Sequence, residues 1–184
     1  MSPSRAGVGA VLLAAGAAFA ATDSPRIVRA ELVREGERHL LNADVEYRFS
    51  DAATEALQNG VPLTLQLNLQ VSRERRYRWD ETVVDEHWSF RLRYHSLAKL
   101  YQWVEEDGRA PRGFASLAAL LEEMGAVRRL EVPGAGVLVP GQSYQARLAV
   151  SLDIESLPLP LRPVAYLSPA WYLASPWFPW SFVD

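Results

Sequence analysis

Between Leu63 and Val71 the chain alternates without a break. Leu63, Leu65, Leu67, Leu69 and Val71 are apolar, and Thr64, Gln66, Asn68 and Gln70 between them are polar. A strand places successive side chains on opposite faces, whereas a helix would spread the same five apolar residues around its circumference. The run is therefore read as a half-buried strand. A slip of one residue would carry the whole apolar set to the polar face, so the register is tightly specified. Continuing the count puts Arg73 and Arg75 on the apolar side, followed by Tyr77 and Trp79. Either the strand outruns the core there or a bulge near Glu74 to Arg76 exchanges the faces.

A partner strand follows, in which Trp88, Phe90, Leu92 and Tyr94 alternate with Ser89, Arg91 and Arg93. A hairpin turning at Asp80 to Val83 sets apolar opposite apolar when paired numbers sum to an odd value, as with Val71 opposite Leu92 and Leu69 opposite Tyr94. Leu41, Ala43, Val45, Tyr47 and Phe49 form another one-sided set, as do Tyr144, Ala146, Leu148, Val150, Leu152 and Ile154. Ile27 to Val33 forms a shorter strand paired with the first set across a turn at Glu35-Gly36-Glu37. "LAKLYQWV" after His95 is extended and "EEDG" is a turn. Two short helices are predicted, one capped by Ser50 or Asp51 and stopped at Asn59-Gly60, the other capped by Ser116 and stopped at Gly125. After Leu157 six prolines, from Pro158 to Pro179, predict extended or edge-strand backbone without helix. The fold class is mainly β, an antiparallel β-sandwich for which an immunoglobulin-like layout is one candidate. Residues 21–157 form the domain and residues 158–184 a Pro/Trp-rich C-terminal segment packed on it. There Trp171, Leu173, Ser175 and Trp177 read as an edge strand, with Trp171, Trp177 and Trp180 as an aromatic clasp. A membrane-interface foot or a partner-bound peptide is the alternative reading of that segment.

The first residues point to export. Arg5 and the terminal amine precede an uncharged run that ends in Ala18-Phe19-Ala20, the small-x-small pattern of a secretory signal cut after Ala20. The run is shorter than the roughly 20 residues of a membrane-spanning helix, so a retained anchor is the weaker reading. Removal of residues 1–20 takes the formal charge from −3 to −4, because Arg5 leaves with them. That balance argues against a nucleic-acid partner. The chain has 0 Cys, so its stability rests on a core rather than on disulfides.

Candidate chemistry is sparse. His87 and His95 share a strand eight residues apart, about 26 Å at about 3.3 Å per residue, too far for one metal, and His39 stands alone. No Gly-x-Ser-x-Gly elbow is present, and "PGAGVLVPG" opens no helix as a phosphate loop must. A Ser, His and Asp assembled by folding is the only route left to a hydrolase. No catalytic residue, metal ligand or cofactor is therefore assigned. Arg73, Arg75, Arg76, Arg78, Arg91 and Arg93 gather on one hairpin. They are read either as locally compensated, with Arg78 opposite Asp85, Arg76 near His87, and Glu74 and Glu86 at hand, or as a stripe for an anion or partner using guanidinium's bidentate reach. On the second reading Arg73, Arg75, Arg91 and Arg93 are the binding residues.

The stretches "NGVPLTLQLNLQVSRERRYRWDETV", "FRLRYHSLAKLYQW", "LDIESLPLPLRP" and "WYLASPWFPW" resemble domain of unknown function 4390, a family of exported proteobacterial proteins also labelled proline-rich signal peptide protein. The resemblance spans nearly all of the chain after Ala20. It implies a secretory signal, no assigned activity, cofactor or catalytic residue, and a gene neighbourhood that often includes an envelope sensor kinase. The expected function is a non-enzymatic binding module of the envelope, in contact with an envelope protein or a membrane-associated sensor. An extracytoplasmic hydrolase and a membrane-surface or lipid-binding protein are the alternatives. Mass spectrometry of the periplasmic fraction is expected to find the mature N-terminus at Ala21; Met1 retained on membrane-bound protein would contradict it.

Overall fold

The alternating run becomes the centre of a sheet. The computed structural model describes residues 24–73, 81–105 and 110–184. Among them are nine strands: β1 (Arg26–Glu35), β2 (Arg38–Glu46), β3 (Leu63–Arg73), β4 (Glu81–His95), β5 (Leu100–Glu105), β6 (Arg112–Phe114), β7 (Ala126–Glu131), β8 (Ser143–Leu152) and β9 (Phe178–Val183). Helices α1 (Asp51–Gln58), α2 (Leu117–Gly125) and α3 (Arg162–Leu167) accompany them. One sheet has the order β1-β2-β7, and the other β6-β5-β4-β3-β8-β9. Every pairing is antiparallel. Both sheets contribute to one core, with Leu32, Leu41 and Val45 from the smaller and Leu63, Leu65, Leu92 and Leu148 from the larger, a sandwich-like arrangement. Residues 1–23, the predicted "EEDG" turn beyond Glu105, and Glu74 to Asp80 lie outside the described residues.

In β3, Leu63, Leu65, Leu67, Leu69 and Val71 are fully buried. The parity of the β3–β4 hairpin is as expected, but its partners are displaced: Val71 lies opposite Val84 rather than Leu92, and Leu69 opposite Glu86 rather than Tyr94. β3 ends at Arg73, and Glu81 to Val83, expected in the turn, belong to β4. Alternation fixes which residues share a face, but several registers satisfy it equally. A bulge is present between Val71 and Ser72, ahead of the expected place. Glu86 thus lands on the apolar side, where its Oε1 accepts a hydrogen bond from Gly134 N at 2.9 Å.

The caps follow the sequence. Ser50 Oγ accepts from Ala53 N, and Ser116 Oγ from Ala119 N, both at 3.2 Å. Gly60, at φ 85°, follows α1 in the left-handed region that suits glycine. Gly125 is the last residue of α2, where the sequence places the stop, and it also serves contact, since a Cβ there would collide with the Val45 carbonyl. Tyr47 and Phe49 lie beyond the end of β2 yet pack against the core. The Tyr47 hydroxyl is buried without a hydrogen-bond partner among the described residues, and burial raises its pKa. "LAKLYQWV" is extended only from Leu100, with Ser96 to Lys99 as the turn.

Two expectations for the C-terminal segment need correction. Its prolines do not exclude helix: α3 starts at Arg162 with Pro163 in its first turn, where the missing N–H has no intrahelical partner to lose. The final strand is Phe178–Val183 rather than Trp171 to Trp177. Trp171 sits in a 3-10 turn over Pro169–Trp171, and only Ala174 bridges to Ser151. β9 then pairs with β8 as an edge strand, the place where Pro179 is tolerated. Phe178, Trp180 and Phe182 pack inward, and the Phe182 ring stacks on Tyr144 with centroids 5.7 Å apart.

A polar latch closes this end. Asp184 accepts hydrogen bonds from His39 Nε2 at 2.5 Å and Arg34 Nη1 at 3.3 Å, joining the first hairpin to the chain just past β9. The Asp184 and His39 side chains are 1% and 5% exposed. Removing the carboxylate leaves the buried His39 without this partner, so Asp184→Ala is expected to lower unfolding free energy by about 2–3 kcal/mol. Urea titration measures it, and a loss below about 0.5 kcal/mol would show that the latch adds nothing.

Candidate binding surfaces

The side of β3 opposite its leucines forms the outer face of the larger sheet, where polar side chains bond across strands. Asn68 Nδ2 donates to Ser151 Oγ at 3.3 Å, Gln70 Nε2 to Asp85 Oδ1 at 3.3 Å, and Arg147 Nε to Gln70 Oε1 at 2.8 Å. His95 Nε2 donates to Gln102 Oε1 at 2.6 Å. Arg91 and Arg93 share this face in β4, exposed and without an ion-pair partner among the described residues. Arg91 edges a depression of about 210 Å³ with Thr64, Asp153 and Ser156.

Arg73 does not join them. It follows Val71 on the inward side of β3, its Cζ 5.9 Å from the Tyr144 ring centroid and its Nη2 donating to Tyr144 Oη at 3.5 Å. Its cross-strand partner is Glu81, ten residues before Arg91, about 33 Å along the strand. Arg75, Arg76 and Arg78 lie outside the described residues. Asp85, expected opposite Arg78, faces Gln70, and His87, expected near Arg76, faces Asn68.

Folding does bring one histidine to a carboxylate, but it is His39 with Asp184. Local sequence could not have paired residues 145 apart. The available signal was parity, because His39 shares a strand side with Leu41, Ala43 and Val45 and is buried like them. Its Nδ1 has no hydrogen-bond partner among the described residues, so no hydroxyl is placed for activation as a triad requires. His87 and His95 remain eight positions apart on β4, and no metal-binding group of three His, Asp or Glu occurs among the described residues.

The three C-terminal tryptophans divide. Trp171 is buried and Trp180 packs partly against the core, whereas Trp177 is exposed beneath Arg147, whose Cζ lies 4.6 Å from its ring centroid. The segment around Trp171 exposes five large apolar side chains, called the ridge below: Leu167 is 86% exposed, Leu159 73%, Tyr172 69%, Tyr166 61% and Val164 50%. Between Pro158 and Val183 the only charged side chain is Arg162, and its Nη1 is engaged with Glu155 at 3.0 Å. Tyr166 donates to the same Glu155, a bond that raises the phenol pKa.

The family model described as domain of unknown function DUF4390 matches residues 22–181. The chain belongs to that family. The DUF4390 match takes in β1 through most of β9, ridge included. No curated protein and no solved structure matches this chain. No described helix of this DUF4390 chain is long and apolar enough to cross a membrane. Because Arg91 and Arg93 project from the outer face, replacing both with Gln is expected to change unfolding free energy by less than about 0.5 kcal/mol. A larger loss in urea titration would make them structural.

Proposed function

We propose that this protein is an exported, non-enzymatic binding module of the envelope, periplasmic after loss of residues 1–20, that docks on a partner protein through the ridge from Leu159 to Tyr172. The supporting observation is the exposure of five large apolar side chains within 14 residues. Such a concentration of exposed apolar side chains in one short segment supports an interaction site, and aromatic residues are enriched among those that carry binding energy. The one cation of the ridge, Arg162, is engaged with Glu155, leaving little of the positive charge with which interfacial segments meet anionic lipid, which favours an envelope protein or membrane-associated sensor over the bilayer itself. On this reading the two sheets form an immunoglobulin-like sandwich in the broad sense of two antiparallel layers, residues 158–184 are its extension, and Arg91 and Arg93 offer a secondary polar contact.

The test uses a photo-crosslinking amino acid at position 167 in cells, with position 141 as a control. Crosslinking to one envelope protein only from position 167 is expected, and the double variant Leu159→Ser, Leu167→Ser should weaken that complex by about tenfold or more without lowering Tm. If the double variant keeps the complex but no longer sediments with vesicles, the membrane-surface reading replaces this one.

A further inference from the structure

A second opening lies where the two sheets part. β7 is an edge of the smaller sheet, and between it, α2 and the β5–β6 edge lies a cleft of about 390 Å³, within the range that holds small ligands. Its lining is mixed: Phe90 and Trp103 from the larger sheet, Val127 and Leu130 from β7 and Met124 from α2 are apolar, while Arg112 and Arg128 bring two cations and Glu105 and Glu123 two carboxylates. Trp103 Nε1 is buried without a hydrogen-bond partner among the described residues, a donor left at a cost that an acceptor could relieve.

Two cations are fixed at the rim. Arg112 stacks on Trp103, its Cζ 4.9 Å from the ring centroid, and lies 5.9 Å from that of Phe114. Arg128 Nη1 donates to the Ala43 and Val127 carbonyls at 2.8 and 2.9 Å, and Nη2 pairs with Asp44. A bulge directs Arg128 there. Val127 pairs with Ala43 and Leu130 with Leu41, so Arg128 and Arg129 both stand opposite Asn42. Arg129 consequently takes φ 53°, an unfavourable conformation for a side chain with a Cβ. It is held by Asn42 Oδ1 accepting from its N–H at 2.9 Å and by two bonds to Glu35 at 2.5 and 2.7 Å. Bulges re-aim side chains beside binding sites in this way. Glu123 pairs with Arg112, but both are about half exposed; such pairs contribute little, and a ligand anion can displace the carboxylate.

The geometry points to a binding site for an anionic amphiphile, its alkyl body between Trp103, Met124 and Val127 and its carboxylate or phosphate head on Arg112 and Arg128. This site is distinct from the ridge and stands or falls without it. Isothermal titration with decanoate, decyl phosphate, decanol and decyltrimethylammonium tests it on the purified chain from Ala21. Saturable binding of at least one anion is expected, about tenfold or more tighter than the cation, and the preferred anion tells a carboxylate head from a phosphate one. Arg112→Gln should weaken anion binding by about tenfold while leaving decanol binding unchanged, and Val127→Trp should fill the cleft and abolish both. Should Val127→Trp fail to fold, Trp103→Phe replaces it: the ligand-induced change in tryptophan fluorescence is expected to disappear in that variant. No saturable anion binding, equal binding of the cation, unchanged anion affinity in Arg112→Gln, or a fluorescence change that survives Trp103→Phe would overturn the site.

Discussion

Burial of one side of β3 is the constraint on which the rest of the structure depends. Five side chains, Leu63 to Val71 by twos, are fully buried. At about 1.5–3 kcal/mol each, a one-residue slip would forfeit an amount comparable with the whole net stability of a domain, about 5–15 kcal/mol. β4 and β8 pair with β3 in registers that extend its apolar face, Leu65 lying between Phe90 and Leu152, and Leu67 between Trp88 and Val150. β9 then takes its place from β8, and the smaller sheet closes over the face so formed. The outer surface is what remains: polar ladders on one side, with Arg91 and Arg93 pointing away by the same parity that buries Leu92.

Parity is also what could be read in advance. Leu63 to Val71, the outward position of Arg91 and Arg93, the β1–β2 hairpin at Gly36 and the two serine caps all depend on neighbours close in sequence, and each stands where local pattern placed it. The β3–β4 register does not. Apolar opposite apolar is satisfied by Val71 with Leu92 as well as by Val71 with Val84, and the choice depends on where the strand ends. Proline density alone hides α3, because Pro163 occupies the one turn of a helix that accepts it. The last strand was misplaced for a related reason: Trp171 to Trp177 alternates over four residues, but Phe178, Trp180 and Phe182 alternate too and have a free edge of β8 to pair with.

The polar groups most informative about function were the least legible. His39 and Asp184 meet through the closure of two sheets, and Arg112 reaches Trp103 from the neighbouring strand β6. No local spacing records either contact. Arg73 was grouped with Arg91 by proximity in sequence, and the length of β4 separates them. Ridge and cleft likewise emerge only when one knows which apolar residues the core leaves over, since Leu159 and Leu167 differ in no local way from the leucines that are buried.

If β9 and Asp184 belong to the same cooperative unit as β3, native-state hydrogen exchange will show it most directly. The amides of β9 bonded to β8 are expected to exchange with the same free energy and the same denaturant dependence as those at the centre of β3, both through global unfolding. Exchange of the β9 amides at a markedly lower free energy, insensitive to denaturant, would mean that the C-terminal strand frays independently and that the sandwich-like core is complete without it.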